Sequence, residues 1–389
     1  MDIYGKKEYR NVFAEIGKSE AEIEKRLADI VDTFFYREGE KLYFPVGEDM
    51  AYIEDTGNLD ARTEGMSYGM MLCVQLDMQE EFNRIWKWAK TYMQMTEGDG
   101  EGYFAWSCGT DGSKNAWGPA SDGEEFFAMA LFFAAHRWGG GEGIFDYERE
   151  AREILRACLH KGENGRPGQP MWNRENKQIL FVPGVSFTDP SYHLPHFYEL
   201  FAEWADEADR AFWKEAAEAS RDYLAKACHP VSGLSPEYAE FDGRPTVHIP
   251  WTKDRHDWFY SDSYRTAANI GLDYEWYGVD KGQRSAAERL QNCLGVTHGD
   301  NPFRIFEVDG TPLAQEALHP VAITATTAQS ALAVQESLDG AELSPAGRTA
   351  RMWVERFWNQ PMRKGERRYY DNCLYLFAFL ALSGRYRIW

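Results

Sequence analysis

Apolar residues recur along this chain at helical spacing, with only short stretches that alternate as strands do. Met66, Met70 and Cys73 fall at i, i+4 and i+7, which predicts a helix opening at Glu64-Gly65. Phe82, Ile85, Trp86 and Ala89 repeat the pattern over 79–95, and 147–158 forms another helix. Residues 126–136 and 369–382 are apolar on nearly every side, the mark of a fully buried helix. Residues 206–228 are amphipathic instead. Phe212, Ala216, Ala219 and Tyr223 share one face, and Lys214, Glu215, Glu218 and Arg221 the other. Further helices are predicted over 189–205, 262–277, 320–337, 344–358 and, after a Ser19–Glu22 capping box, up to Tyr36. Ser121 with Glu124 and Ser285 with Glu288 read as two more capping boxes.

The total is about eleven or twelve helices. A β-prone patch covers 41–53, broken by Pro45 and Gly47. Two short strands fit within 164–188, and 296–318 is irregular. Loops over 96–116 and 229–260 are rich in aromatics, and a loop that carries Trp is more than a linker. Buried and half-buried helices alternate with no break in composition. This predicts an all-α fold with an inner and an outer helix ring, an α/α barrel, as a single domain over 1–389. Minor strands and long loops would gather at one end. A helical solenoid is the alternative, but no repeat of roughly 34–45 residues supports it.

Composition narrows the function. A net charge of −20 argues against nucleic acid and against an anionic membrane surface as partners. The longest apolar run, 373–382, is far too short to span a bilayer. The 14 Trp, 21 Tyr and 23 Phe fill core, and they also offer flat faces for stacking sugar rings. Cys73, Cys108, Cys158, Cys228, Cys293 and Cys373 are scattered and read as buried free thiols of a reducing compartment. The N-terminal residues 1–8 are charged and show no secretory signal. No metal is expected: H-E-x-x-H is absent, and His193 with His196 flank Pro195 without companion ligands. There is no P-loop, no G-x-G-x-x-G and no G-x-S-x-G, and no cofactor is expected. Oligomeric state is left open.

Carboxylates carry what chemistry remains. Glu64 opens one helix, Asp122 another after Trp117-Gly118-Pro119, and Asp262 a third after Trp258-Phe259-Tyr260. Singly, each is explained by a helix dipole or an N-cap. Three such acids at the mouths of buried helices would converge at one end of a barrel. Glycoside hydrolysis needs such a set: one carboxylic acid to protonate the leaving oxygen, and a second carboxylate to attack or to activate water. A helix N-terminus lowers the pKa of an acid. Burial and a nearby carboxylate, with Asp122 the natural candidate, would have to overcome that for Glu64 to stay protonated near neutral pH.

At these residues the sequence resembles glycoside hydrolase family 8. Ala120-Ser121-Asp122-Gly123, followed by Ala128, Ala130, Leu131, Ala134 and Trp138, is similar to the family signature around its central aspartate. Glu124 stands where an Asp is usual, and Phe127 and Phe132 replace aliphatic or small residues. The stretch from Glu64 to Met70 is similar to the family's acid motif, and the resemblance runs to Tyr369-Tyr370-Asp371. It implies an (α/α)6 barrel, an inverting mechanism and no metal. The resemblance is closest to a cytoplasmic branch that releases xylose from the reducing end of xylo-oligosaccharides. By motif, it makes Glu64 general acid, Asp262 general base, and Asp122 the residue that positions the −1 sugar or the water. It implies roughly 6.5–9.5 Å between the Glu64 and Asp262 carboxyls. Trp106, Trp117, Tyr192 and Arg265 are candidate subsite walls, with plain packing as the alternative. His319 is a candidate reader of the terminal anomeric hydroxyl, or a loop histidine before Pro320. An endo-acting glycanase of the same family and a non-catalytic sugar-binding toroid are the competing functions.

Overall fold

The computed structural model describes residues 8–389; the charged N-terminal segment lies almost wholly outside them. In chain order the helices are α1 (Val12–Glu15), α2 (Glu20–Val31), α3 (Thr63–Leu76), α4 (Gln79–Trp88), α5 (Ser121–Trp138), α6 (Tyr147–His160) and α7 (Pro195–Trp204). They continue with α8 (Arg210–Ala227), α9 (Tyr264–Tyr277), α10 (Gln283–Asn292), α11 (Pro320–Gln329), α12 (Pro345–Asn359) and α13 (Arg368–Leu382).

Six of them (α3, α5, α7, α9, α11, α13) bury most of their residues, because nearly all their positions are apolar or small. Each packs on the next, and α13 closes onto α3. The amphipathic helices α4, α6, α8, α10 and α12 lie against α3, α5, α7, α9 and α11, and α2 covers α13. Six inner and six outer helices in a closed ring make an (α/α)6 barrel. Close approach of inner helices demands glycine at two places. A Cβ on Gly123 of α5 would stand 2.4 Å from Thr63 of α3. One on Gly65 would stand 2.6 Å from the Tyr369 ring and hydroxyl.

The strands are short. β1 (Tyr43–Val46) and β2 (Met50–Ile53) form a hairpin from the predicted β-prone patch. β3 (Asp60–Arg62) pairs antiparallel with β4 (Ser107–Gly109) and leads directly into α3. β5 (Phe187–Thr188) pairs with β6 (Ala239–Glu240), and β7 (Trp258–Phe259) with β8 (Arg304–Glu307), which continues to β9 (Pro312–Glu316). All six cysteines are buried free thiols. No helix among the described residues is long and apolar enough to cross a membrane.

Several expectations are corrected. The Ser121–Glu124 box does not form: α5 starts at Ser121 itself, and Glu124 Oε1 instead accepts from the backbone N–H of Phe104. The Ser285–Glu288 box fails because α10 already begins at Gln283, after the positive-φ Gly282. The 189–205 run is broken into a 3-10 turn, Pro190–Tyr192, and α7, which starts at Pro195. Only one strand forms in 164–188, besides a single bridge between Trp172 and Ile179. The irregular 296–318 stretch contains β8 and β9. Arg221 is buried, not on the outer face. Its guanidinium pairs in two bonds, 2.9 and 2.7 Å, with the buried Asp273 of α9.

Candidate active site

The N-termini of the inner helices open into a cleft of about 650 Å³, within the range of small-molecule sites. The loops predicted to be aromatic supply Trp106, Tyr238 and Trp251 to its walls; Phe181 and Tyr192 complete them, with backbone from Gly118 to Ala120 and from Val182 to Pro183. Its floor carries Glu64, Asp122, Asp262 and Arg265.

Glu64 is the second residue of α3. Tyr369 at the start of α13 donates its hydroxyl to Oε1 at 2.8 Å, and Arg265 Nη1 donates to Oε2 at 2.8 Å. Gly65 leaves the room that Tyr369 needs. Asp122, second in α5, accepts from Gly123 N–H at 2.9 Å through Oδ1 and from Arg265 Nη1 at 3.2 Å through Oδ2. Asp262 lies in a 3-10 turn just before α9, with Oδ1 3.2 Å from Arg265 Nη2. The residue before it, Ser261, has φ +42°, a backbone conformation that costs a non-glycine residue on the order of 1–3 kcal/mol. Tyr370 holds that turn by donating its hydroxyl to the Ser261 carbonyl at 3.0 Å. Tyr68 accepts from Arg265 Nη1 at 3.0 Å.

Arg265 lines the cleft and is also the hub of its floor. Its fork also faces a fourth carboxylate, Asp189, whose Oδ2 is 3.6 Å from Nη2. One permanent cation faces four acids, so the cluster cannot be fully ionised at low energetic cost. Burial is the main cause that pushes Glu64 up to about 7. Arg265 opposes the rise, the charges of Asp122 and Asp262 add to it, and the Tyr369 hydrogen bond lowers it again. This is the direction argued from the sequence. Burial likewise raises Asp122 and lifts Asp189 well above the carboxylate range. Asp262 differs: a quarter of its side chain is exposed, against 17% for Glu64 and 7% for Asp122.

Of the remaining sequence candidates, Trp106 and Tyr192 line the cleft. Trp117 does not. The residue is 75% exposed, its ring 5.5 Å from the Lys114 ammonium, on the loop whose next residues form the wall. His319 stands outside the lining, with Nδ1 2.9 Å from Asp371 Oδ2 and its ring edge-on to Tyr370 at 4.9 Å. Sequence reading missed Asp189, Tyr68, Phe181, Tyr238 and Trp251 as members of the site, and gave Tyr369 no role. Asp189-Pro190 after an irregular stretch repeats the acid-before-helix signal of Asp122 and Asp262, and so was findable. His193 and His196 are buried with depressed pKa values of about 3, and burial is the main cause. Among the described residues, no group of three His, Cys, Asp or Glu side chains is placed to hold a metal ion.

Glu64→Gln should expose the cost of this burial. A carboxyl held at about 7 in the fold and near 4.5 in the unfolded chain is protonated in both states at pH 4. As pH rises from 4.5 to 7, the unfolded state loses the proton first, so wild-type stability falls by about 1.4 kcal/mol per pH unit for this group. Glutamine has no proton to lose. Melting curves should show the variant gaining on wild type by about 3 kcal/mol between pH 4 and pH 8. A constant difference across that range would contradict the raised pKa.

Residues 48–383 match the family model for Glycosyl hydrolases family 8. The chain is 55% identical over 387 residues to the reducing end xylose-releasing exo-oligoxylanase of Halalkalibacterium halodurans, across 98% of this chain and 95% of that protein. It is 52% identical over 382 residues to the reducing-end xylose-releasing exo-oligoxylanase Rex8A of Paenibacillus barcinonensis, across 98% and 97%. A crystal structure of a mutant reducing-end-xylose releasing exo-oligoxylanase complexed with xylobiose superposes with a TM-score of 0.92 at 54% identity, covering 99% of each chain.

Proposed function

We propose that this chain, which belongs to glycosyl hydrolases family 8, cleaves β-1,4-xylo-oligosaccharides with inversion and releases xylose from their reducing ends. One observation carries the chemistry. Glu64 and Asp262 are held by different nitrogens of the same buried guanidinium, and they differ in exposure. The acid and the base of an inverting hydrolase need that difference: a carboxyl that keeps its proton, and a carboxylate, set apart from it, that meets water.

Glu64 donates its proton to the glycosidic oxygen as the C–O bond breaks. Asp262 takes a proton from a water that attacks the anomeric carbon from the opposite face, roughly 6.5–9.5 Å of carboxyl separation leaving room for that water. Asp122 holds the −1 sugar or the water against the developing oxocarbenium charge. Arg265 fixes all three carboxyls, so the site needs no reorganisation as charge moves. Trp106, Tyr192 and Trp251 provide faces for the xylose rings. His319 lies outside the cleft lining, and its role as reader of the terminal anomeric hydroxyl rests on the chain's similarity, end to end, to proteins named for reducing-end xylose release. The same similarity supports the polarity of attack. Its six unbridged cysteines fit a reducing compartment and support a cytoplasmic location.

Xylohexaose tests the mode of attack. The first products should be xylose and xylopentaose alone, and borohydride-reduced xylohexaose, which lacks the terminal anomeric centre, should resist cleavage. An early mixture of xylobiose, xylotriose and xylotetraose would mark an endo-acting enzyme and overturn the proposal.

A further inference from the structure

The Tyr198 hydroxyl in α7 stands between two acceptors. It is 2.9 Å from Glu125 Oε2 and 3.0 Å from the carbonyl oxygen of Tyr192. A phenol has one hydrogen to give, and a carbonyl can only accept. That hydrogen cannot fully serve an ionised Glu125 and the Tyr192 carbonyl together. A proton on Glu125 satisfies both: Glu125 donates to Tyr198, and Tyr198 donates to Tyr192. We propose that Glu125 is a neutral carboxylic acid in the working enzyme and a positioning residue, fixing Tyr192 in the cleft wall through Tyr198.

The surroundings agree. Glu125 is wholly buried. Burial is the main cause that lifts its pKa well above the carboxylate range; Asp122 and Asp189 add to the rise, and the Tyr198 hydroxyl and the Arg265 cation oppose it. Its other oxygen, Oε1, has no hydrogen-bond partner among the described residues, and neither do Ser191 Oγ or His196 Nδ1. All three residues line an internal cavity of about 30 Å³. One water needs about 10–15 Å³ by such a measure, so the cavity suits about two, each with polar side chains to bind. Asp122 and Arg265 line this cavity and the cleft alike, so Glu125 sits behind the reacting groups. Tyr192 is itself packed into the site, its ring 5.5 Å from Phe181 and 5.5 Å from the Arg265 guanidinium. Fixing its carbonyl fixes the Pro190–Tyr192 turn that follows Asp189.

The positioning role rests on the cleft being the reaction site; the proton on Glu125 does not, and infrared spectroscopy reads it without substrate. At pH 8 the spectrum of wild type minus that of Glu125→Gln should contain a protonated-carboxyl C=O band. Absence of that band, or a carboxylate band in its place, would overturn the proposal. Glu125→Gln, whose amide also donates to Tyr198, should keep kcat on xylotriose within about threefold of wild type. Glu125→Leu and Tyr198→Phe should each lower kcat by tenfold or more at 25 °C, well below their melting temperatures, with KM changed less. A purely scaffolding role would lower the melting temperature and leave kcat of the folded enzyme intact. That result, or a Gln variant as slow as the Leu variant, would refute positioning by Glu125. Should the Leu variant not fold, Tyr198→Phe and the infrared difference decide.

Discussion

Glu64→Gln should lower kcat/KM on xylotriose by between about a hundredfold and ten-thousandfold, the span general acid catalysis supplies. The loss should depend on the leaving group. A xylose leaving as an alkoxide needs its proton; fluoride does not. β-Xylobiosyl fluoride should therefore be hydrolysed by Glu64→Gln at a rate close to wild type, while Asp262→Asn should be slow on both substrates, because every inverting turnover needs an activated water. The same assignment fixes the alkaline limb of the pH profile. Glu64 must be protonated to act, and it is held at about 7, so kcat/KM should fall as pH rises through about 7. With the fluoride substrate, that limb should vanish. Equal losses on both substrates for Glu64→Gln would remove it from the role of acid.

Arg265→Met should be the most destabilising single change in the site. It removes the one guanidinium within 3.6 Å of Glu64, Asp122, Asp189 and Asp262. Deleting one partner of a buried ion pair costs about 3–5 kcal/mol, because the other charge stays buried without compensation. Here the cost should depend on pH with a definite sign. Without the cation, the folded-state pKa values of Glu64, Asp122 and Asp189 rise further above their unfolded values, so stability is lost as pH rises and restored as these acids take up protons. Denaturant unfolding should show a loss of about 3–5 kcal/mol at pH 8 and a clearly smaller one at pH 5. Arg265→Lys should recover part of the stability but little activity, since an ammonium cannot reach the acids with a planar fork. An equal loss at both pH values would mean that Arg265 is held by packing and not by the acids.

The barrel was legible because its two rings differ in pattern. Helices such as α5 and α13, apolar all round, can only be inner, and α8 with one polar face can only be outer. What escaped was decided by contacts across the sequence. Glu124 looks like a capping-box residue until the Phe104 N–H, twenty positions away, claims its carboxylate. Arg221 looks solvated until Asp273 of α9 meets it, 52 positions on. β8 buries two adjacent residues, Ile305 and Phe306, and β9 is mostly exposed, so neither shows the alternation that marks a strand against a core. In the site, each acid could be picked out by its place before a buried helix. That Arg265 gathers them depends on how far one side chain reaches across the ring, which no local pattern encodes. Asp189 carries the same acid-before-helix signal, and its 3.6 Å approach to Arg265 is what ties it to the site.

Hydrolysis of xylotriose labelled with 13C at its reducing-end C1, followed by NMR from the first minutes, tests the central claim most directly. The label should appear entirely in free xylose, and the new reducing end of xylobiose should form first as the α-anomer, before mutarotation. Label in xylobiose would contradict release from the reducing end, and a β-anomer formed first would contradict the pairing of Glu64 with Asp262 as acid and base.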